Sequence, residues 1–327
     1  MKRAFFLCVI FSCLFSSCND SDTIDDEAAS RINSVSVIID DLLWNGEIGD
    51  SIRNKFATPV VGLPQEEPMF TLTQYPVKLL EGYVANSRHI IVIKKGERNH
   101  FSITHNEFRT PQTVIRIYGK TSRDIINEIE AHSADIIDKI HKREIAEMQQ
   151  VIRKTPQDVK LIEDKFKIKI DVPASYKYVL EKPQFLWLKR EITSGSTSLL
   201  IYSVPFRSVT RDGNAVSDIM RIRDSIGKLY IHGNVPDTHM ITEGSYAPYL
   251  ATVSMCNRIT IETKGTWELD RDFMSGPFIN YCIFDQPGNR LVFIEGFCYA
   301  PSKEKRDLML ELEAIIKSTR FFKTKTN

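Results

Sequence analysis

The sequence predicts an α+β protein: mostly antiparallel sheets, helices packed on one face, and two related halves. Three observations carry this. Phe278 to Phe284 and Leu291 to Tyr299 flank Gln286-Pro287-Gly288-Asn289, a strong turn between two strands. The stretch from Asp124 to Arg153 places Ile125, Ile129, Ile136, Ile140, Ile145, Met148 and Ile152 on one apolar stripe of a long helix. Finally, VIRIYGKTSRDIINEIEAHSADII and VFIEGFCYAPSKEKRDLMLELEAII both read as strand, short polar start, helix. That echo suggests two related halves, although strand–cap–helix is a common local order.

The elements follow in chain order. Residues 1–17 pair Lys2 and Arg3 with an apolar run from Ala4 to Phe15, then Ser16 and Ser17. This is a secretory signal. It is too short for a transmembrane helix, which needs about 20 apolar residues. Cys18 follows the small residues and opens a polar stretch. The arrangement resembles the lipobox of bacterial lipoproteins, so lipidation of Cys18 is expected, with ordinary secretion as the alternative. Two or more acyl chains anchor stably where one does not. Five of residues 19–27 are acidic. Residues 18–30 therefore read as a disordered tether, and they also resemble the surface-export signal of Bacteroides-type lipoproteins.

Residues 31–154 form the first half. Ser34 to Ile39 reads as a strand and Asp41 to Phe56 as a helix that Gly46 and Gly49 weaken. Pro59, Pro64, Pro68 and Pro76 make the next stretch an extended loop. A short helix over Leu79 to Ala85 follows, then strands at His89 to Lys94 and Thr113 to Tyr118. Thr121 and Asp124 form a capping box for the long helix, which is expected to kink or break.

The second half is 155–327. Thr155-Pro156-Gln157-Asp158 signals a helix start, with the helix ending near Phe166. Strands are expected at Ile168–Val172, Gln184–Glu191 and Ser198–Val204, then a helix over Asn214–Leu229 carrying Ile219, Ile222 and Ile226. Pro301 and Ser302 open the last helix, with Leu308, Leu312, Ile315 and Ile316 inward.

Composition narrows function by exclusion. The hydrophobic fraction is 42% and the charged fraction 26%, ordinary for a globular protein. Removing the signal takes Lys2 and Arg3 and moves the formal charge from +1 to −1. A near-neutral body offers no electrostatic case for nucleic acid. Beyond the anchor, Cys256, Cys282 and Cys298 permit one disulfide at most, and their spacing matches no zinc signature. Buried apolar thiols are the simpler reading.

No phosphate loop, dinucleotide fingerprint, nucleophile elbow or metalloprotease motif occurs. Glu128, His132 and Asp135 share a helix face, which reads as a solvated polar face rather than a metal site. Asp40 and Asp41 read as caps for the following helix. No cofactor, metal ligand or catalytic residue is assigned. The densest chemistry is Gly265-Thr266-Trp267-Glu268 with Asp272-Phe273-Met274-Ser275-Gly276-Pro277. Trp267, Glu268, Asp272 and Phe273 are the candidate ligand or partner surface, with a buried Trp under a structured loop as the plainer alternative.

The segments KLYIHG (228–233), KGTWELDRDFMSGPF (264–278) and RLVFIEGFCYAPSKEKRDLMLELEAI (290–315) resemble an uncharacterised, domain-of-unknown-function lipoprotein family of Bacteroides-type bacteria. The resemblance implies a cell-envelope lipoprotein and no established activity. Where that family often carries Arg before Gly-x-Trp, this chain has Lys264, which keeps the charge but loses the planar fork.

The expected function is a non-catalytic binding or assembly component anchored through Cys18, with an envelope protein or glycan as partner. The expected place is the outer membrane, facing the periplasm or the surface. The alternative is an envelope hydrolase cleaving glycan or peptide through Glu268, Asp270 or Asp272.

Overall fold

A computed structural model describes residues 31–79, 83–210 and 214–322. The signal, Cys18 and the tether lie outside the described residues. Among the described residues the α+β plan holds, as six α-helices and 15 strands, and most strand pairings are antiparallel.

The first half is built from β1 (Ser34–Ile38), α1 (Asp41–Trp44), α2 (Glu47–Phe56), β2 (Thr71–Tyr75), β3 (His89–Lys95), β4 (His100–His105), β5 (Thr113–Gly119) and α3 (Ser122–Lys154). Its sheet runs β2-β1-β3-β5-β4. The parallel pairings of the protein concentrate here, with β1 parallel to β2 and β3, β3 parallel to β5, and β4 antiparallel at the edge. Parallel strands are covered on both faces, which is why HIIVIK and TVIRI read as near-continuous apolar runs. Ile91, Ile93, Ile115 and Ile117 face α2 and α3, while Ile38, Ile90, Val92 and Val114 form a smaller core on the reverse.

The predicted helix over 41–56 is two helices. The chain turns after Trp44, and a Cβ at Gly49 would lie 1.7 Å from the Trp44 carbonyl oxygen, so glycine is needed for the close approach. The expected break in α3 does not occur. The helix runs 33 residues with its Thr121–Asp124 capping box formed on both sides, because tertiary contacts along the whole stripe support it. Residues 71–75, expected in a loop, pair with β1. The expected helix at 79–85 falls partly outside the described residues, and single 3₁₀ turns stand at Val77–Leu79 and Tyr83–Asn86.

The second half contains α4 (Lys160–Phe166), β6 (Ile168–Lys169), β7 (Lys177–Lys182), β8 (Phe185–Ile192), β9 (Gly195–Pro205), α5 (Ala215–Tyr230), β10 (Met240–Thr242), β11 (Tyr249–Met255), β12 (Arg258–Leu269), β13 (Ser275–Asp285), β14 (Arg290–Tyr299), α6 (Arg306–Lys317) and β15 (Arg320–Phe321). Its main sheet, β10-β12-β13-β14-β9-β8-β7, is antiparallel, and β11 also pairs with β12. The predicted hairpin is present, with Asn289 left-handed at φ 49° in its turn. α4 starts later than Thr155-Pro156 suggests. Pro156 bridges Pro173 instead, and Asp158 Oδ1 accepts from the Lys160 N–H. The strand predicted at 168–172 is reduced to two residues paired with β15.

Helices take both faces of this sheet, not one. α4 and α6 cover a core that includes Leu199, Ile201, Tyr281, Ile294, Leu312 and Ile315. α5 lies on the reverse, where Leu200, Tyr202, Phe293 and Trp267 are buried. The echo between halves is confined to the local order β5–α3 and β14–α6, since the surrounding sheets differ in topology. The halves meet where α3 packs on α6, joined by Gln149 donating to the Ala314 carbonyl at 3.0 Å.

Candidate functional site

The proline-rich segment 59–70 of the first half lies across the second. Glu67 is buried, and its carboxylate accepts from the Lys305 and Arg306 N–H groups at 2.7 and 2.8 Å, capping the start of α6. The Arg306 guanidinium returns to the Pro68 carbonyl at 2.9 Å. Gly62 is left-handed at φ +87°, and a Cβ there would sit 3.0 Å from Lys264 Cβ. Glycine thus lets this segment close onto β12.

Beneath the segment is a cavity of about 310 Å³. Segment 59–70, α3, β11, β12, β13 and α6 all contribute to it, so neither half forms it alone. Most of the wall is apolar. Its polar part is a cluster that the β period and the helix period deliver separately. Glu262 and Lys264 are two apart on β12 and share the face toward α6, with Lys264 Nζ donating to Glu262 Oε1 at 3.2 Å. Tyr281 on β13 lies opposite Glu262 in register and donates its hydroxyl to that carboxylate. Glu313 on α6 accepts from His141 Nε2 of α3 at 3.0 Å and from Lys317 Nζ at 2.6 Å, with the Tyr281 hydroxyl at 3.5 Å.

Electrostatics locks these states. Burial by itself would raise the Glu313 carboxyl, but the His141 hydrogen bond and the Lys264 and Lys317 charges hold it far below the usual carboxylate range. Burial would likewise depress the Lys264 ammonium, yet Glu313 and Glu262 outweigh it and raise its pKa. Burial, then the two carboxylates, push the Tyr281 phenol well above its ordinary value, so it stays a donor. The cluster holds ionised Glu313 and Lys264 at the wall of a largely apolar cavity, an arrangement suited to orienting a bound molecule.

Trp267, Glu268, Asp270, Asp272 and Phe273 do not line this cavity. Trp267 is buried, edge-on to Phe297 and donating its Nε1–H to the Cys298 carbonyl at 3.2 Å. Asp270 accepts from the His239 N–H at 2.9 Å and Asp272 from the adjacent Phe273 N–H at 2.7 Å. Phe273 is fully exposed. Elsewhere, His132 pairs with Glu128 at 3.4 Å and stacks on Phe101, while Asp135 pairs with Lys139 at 3.0 Å. Asp41 accepts from Gln74. Cys256, Cys282 and Cys298 are free thiols. Burial raises Cys298 to about 12, and Cys256 donates to the Thr319 carbonyl at 2.8 Å.

The sequence reading missed Glu262, Tyr281, Glu313 and His141 as site residues. Their signal was present, since a Glu inside LELEAII and charges at Glu262 and Lys264 stand where the apolar faces of α6 and β12 should be.

Residues 155–318, half of the chain, match the model of a family described as Domain of unknown function (DUF4837). The chain belongs to the DUF4837 family. Residues 28–153 match a second model, Domain of unknown function (DUF8532), so the DUF4837 portion carries β11–β14 and α6 while the DUF8532 portion carries segment 59–70 and α3. No curated protein matches the chain. Among solved structures, the human StAR-related lipid transfer protein 5 is similar over 54% of this chain and 98% of its own, with 9% identity and a TM-score of 0.25. Likeness at that level defines neither fold nor ligand.

Proposed function

We propose that this chain is a cell-envelope lipoprotein, anchored through Cys18 and the 18–30 tether, that binds a small ligand between its halves without transforming it. The reading joins the lipobox-like end to the folded body. The observation that carries the binding part is the cavity of about 310 Å³ with Glu262, Lys264, Glu313 and His141 at its wall and Tyr281 bonded to Glu262. Outer-membrane placement of Bacteroides type is part of the same proposal and rests on the resemblance and the acidic tether. The hydrolase alternative requires Trp267 and its neighbouring acids to converge in a cleft. Trp267 lies in the core and those acids do not line the cavity, so that alternative has no supporting geometry.

One preparation tests both parts. Cys18→Ala should abolish acyl labelling and move the protein from membranes to the soluble fraction. Native mass spectrometry of that soluble protein should show a non-covalent small-molecule mass, lost in the additional variant Leu63→Trp, which fills the cavity wall. Acyl label retained on the alanine variant would overturn the anchor. An adduct indifferent to Leu63→Trp would overturn the cavity.

A further inference from the structure

We infer that the cavity takes a medium-chain fatty carboxylate, its head group on Lys264 beside His141 and its chain along the apolar wall. This rests on the reading of the cavity as a ligand site and names the ligand's chemical class.

The first argument is a count of unfilled hydrogen-bonding capacity. Both carboxylates already have partners: Glu313 Oε1 faces His141, Lys317 and the Tyr281 hydroxyl, and Glu262 accepts from Tyr281 and Lys264. The Lys264 ammonium has three N–H groups, and Glu262 is its one ion-pair partner among the described residues. His141 is engaged with Glu313 through Nε2. Lys264 and His141 are each a quarter to a third exposed, whereas Glu313 is 7% and Glu262 10% exposed. Lys264 and His141 therefore stand forward and the carboxylates behind them. An anionic ligand meets the Lys264 N–H groups that Glu262 leaves free.

The second argument concerns which anion. Glu262 and Glu313 formally balance Lys264 and Lys317, so the site has little excess charge to offer a dianion. The guanidinium on the wall, Arg306, is committed to the Pro68 carbonyl, the Thr71 hydroxyl and Asp307. A phosphate group is best recognised by a free Arg fork or a nest of backbone N–H groups. A single carboxylate, two oxygens in a plane, needs only the lysine and one neighbouring contact.

The third argument is shape. Val60, Leu63, Met69, Ile137, Met309 and Leu310 supply an apolar wall to the same cavity. At roughly 30 Å³ per water-sized group, a cavity of about 310 Å³ accommodates about ten such groups. That is the size of a chain of about eight to ten carbons.

The test is calorimetric titration of three probes of equal chain length, kept below micelle formation: decanoate, decanol and decyltrimethylammonium. The protein is the full chain carrying Cys18→Ala, which has no acyl groups of its own to compete. Decanoate should bind best. Lys264→Met should weaken decanoate at least about tenfold and leave decanol within about twofold, as expected for loss of a charge-assisted contact. Lys264→Arg should keep decanoate binding, which separates loss of the head-group contact from collapse of the cluster. Leu63→Trp should abolish binding of every probe. If decanol or decyltrimethylammonium binds as tightly as decanoate and Leu63→Trp blocks it, the cavity is a ligand site and the carboxylate assignment is wrong. If none of the three binds, or Leu63→Trp changes nothing, the cavity reading itself falls.

Discussion

Two buried carboxylates lie on opposite sides of the second-half sheet, and they are held in different ways. Glu313 sits beside the cavity, where His141, Lys317, Lys264 and Tyr281 surround it and keep it ionised far below its ordinary pKa. Glu295 on β14 faces α5 and is fully buried. It accepts from Arg223 Nε at 2.9 Å and from Asn280 Nδ2 at 2.9 Å, and the Arg223 guanidinium lies 3.9 Å over the Phe278 ring. Here burial wins over Arg223 and raises the carboxyl above its usual value. The difference teaches how enclosure and partners set the charge state of each carboxylate. The fully buried Arg223–Glu295 pair holds α5 onto the sheet. The cluster at Glu313 is more crowded and partly open, with Lys264 N–H groups that its ion pair leaves free.

The largest expected effect breaks the closed pair. Arg223→Met leaves Glu295 buried without its cation, so urea unfolding should show a loss of roughly 3–5 kcal/mol. His141→Ala, at a site that water can reach, should cost only about 1 kcal/mol. Equal costs would mean the two clusters are equally enclosed.

The next prediction uses the tryptophan motif, which shares the Glu295 side of the sheet. Trp267→Ala should cost roughly 3–5 kcal/mol, as a large core truncation does. Phe273→Ala, fully exposed four residues beyond the hairpin-forming Leu269, should stay within about 0.5 kcal/mol. A stable Trp267→Ala protein would return that motif to candidacy as a surface.

The smallest effect is a contrast in pH slope. Glu313 is lowered on folding, so its stabilising contribution is complete above the unfolded value of about 4.3 and is lost as pH falls below it. Glu295 is raised on folding, so its contribution is present below the unfolded value and lost as pH rises through the folded one. Acidification from about pH 6 to 3 should therefore narrow any advantage of wild type over Glu313→Gln. Over the same range, wild type should gain relative to Glu295→Gln. Each slope is bounded by about 1.4 kcal/mol per pH unit for one proton. Slopes of the same sign would show that the two environments do not differ.

Local order was legible where one short-range signal dominated. The Thr121–Asp124 capping box and the isoleucine stripe specified α3, and Gln286-Pro287-Gly288-Asn289 specified the β13–β14 turn. The β11–β12 hairpin was missed because its turn uses Cys256 and Asn257, both with positive φ, in place of the usual Asn-Gly. β2 was missed because TLTQY sits among prolines and gains its partners only from β1. The site was less legible still. Trp267, the most conspicuous residue, packs in the core, while Glu262, Tyr281, Glu313 and His141 come from four separate elements.

By itself, the sequence determined the α+β class, the identity of most helices and the expectation of an anchor at Cys18. These follow from periodicity, caps and composition, which act over one or two turns of chain. Only the tertiary structure decided that segment 59–70 closes onto β12, that α3 brings His141 to Glu313 across the two halves, and that the donors of Lys264 face a cavity. The reason is physical. The burial and charge environment of a side chain depend on what packs against it, and here that material comes from residues more than a hundred positions away.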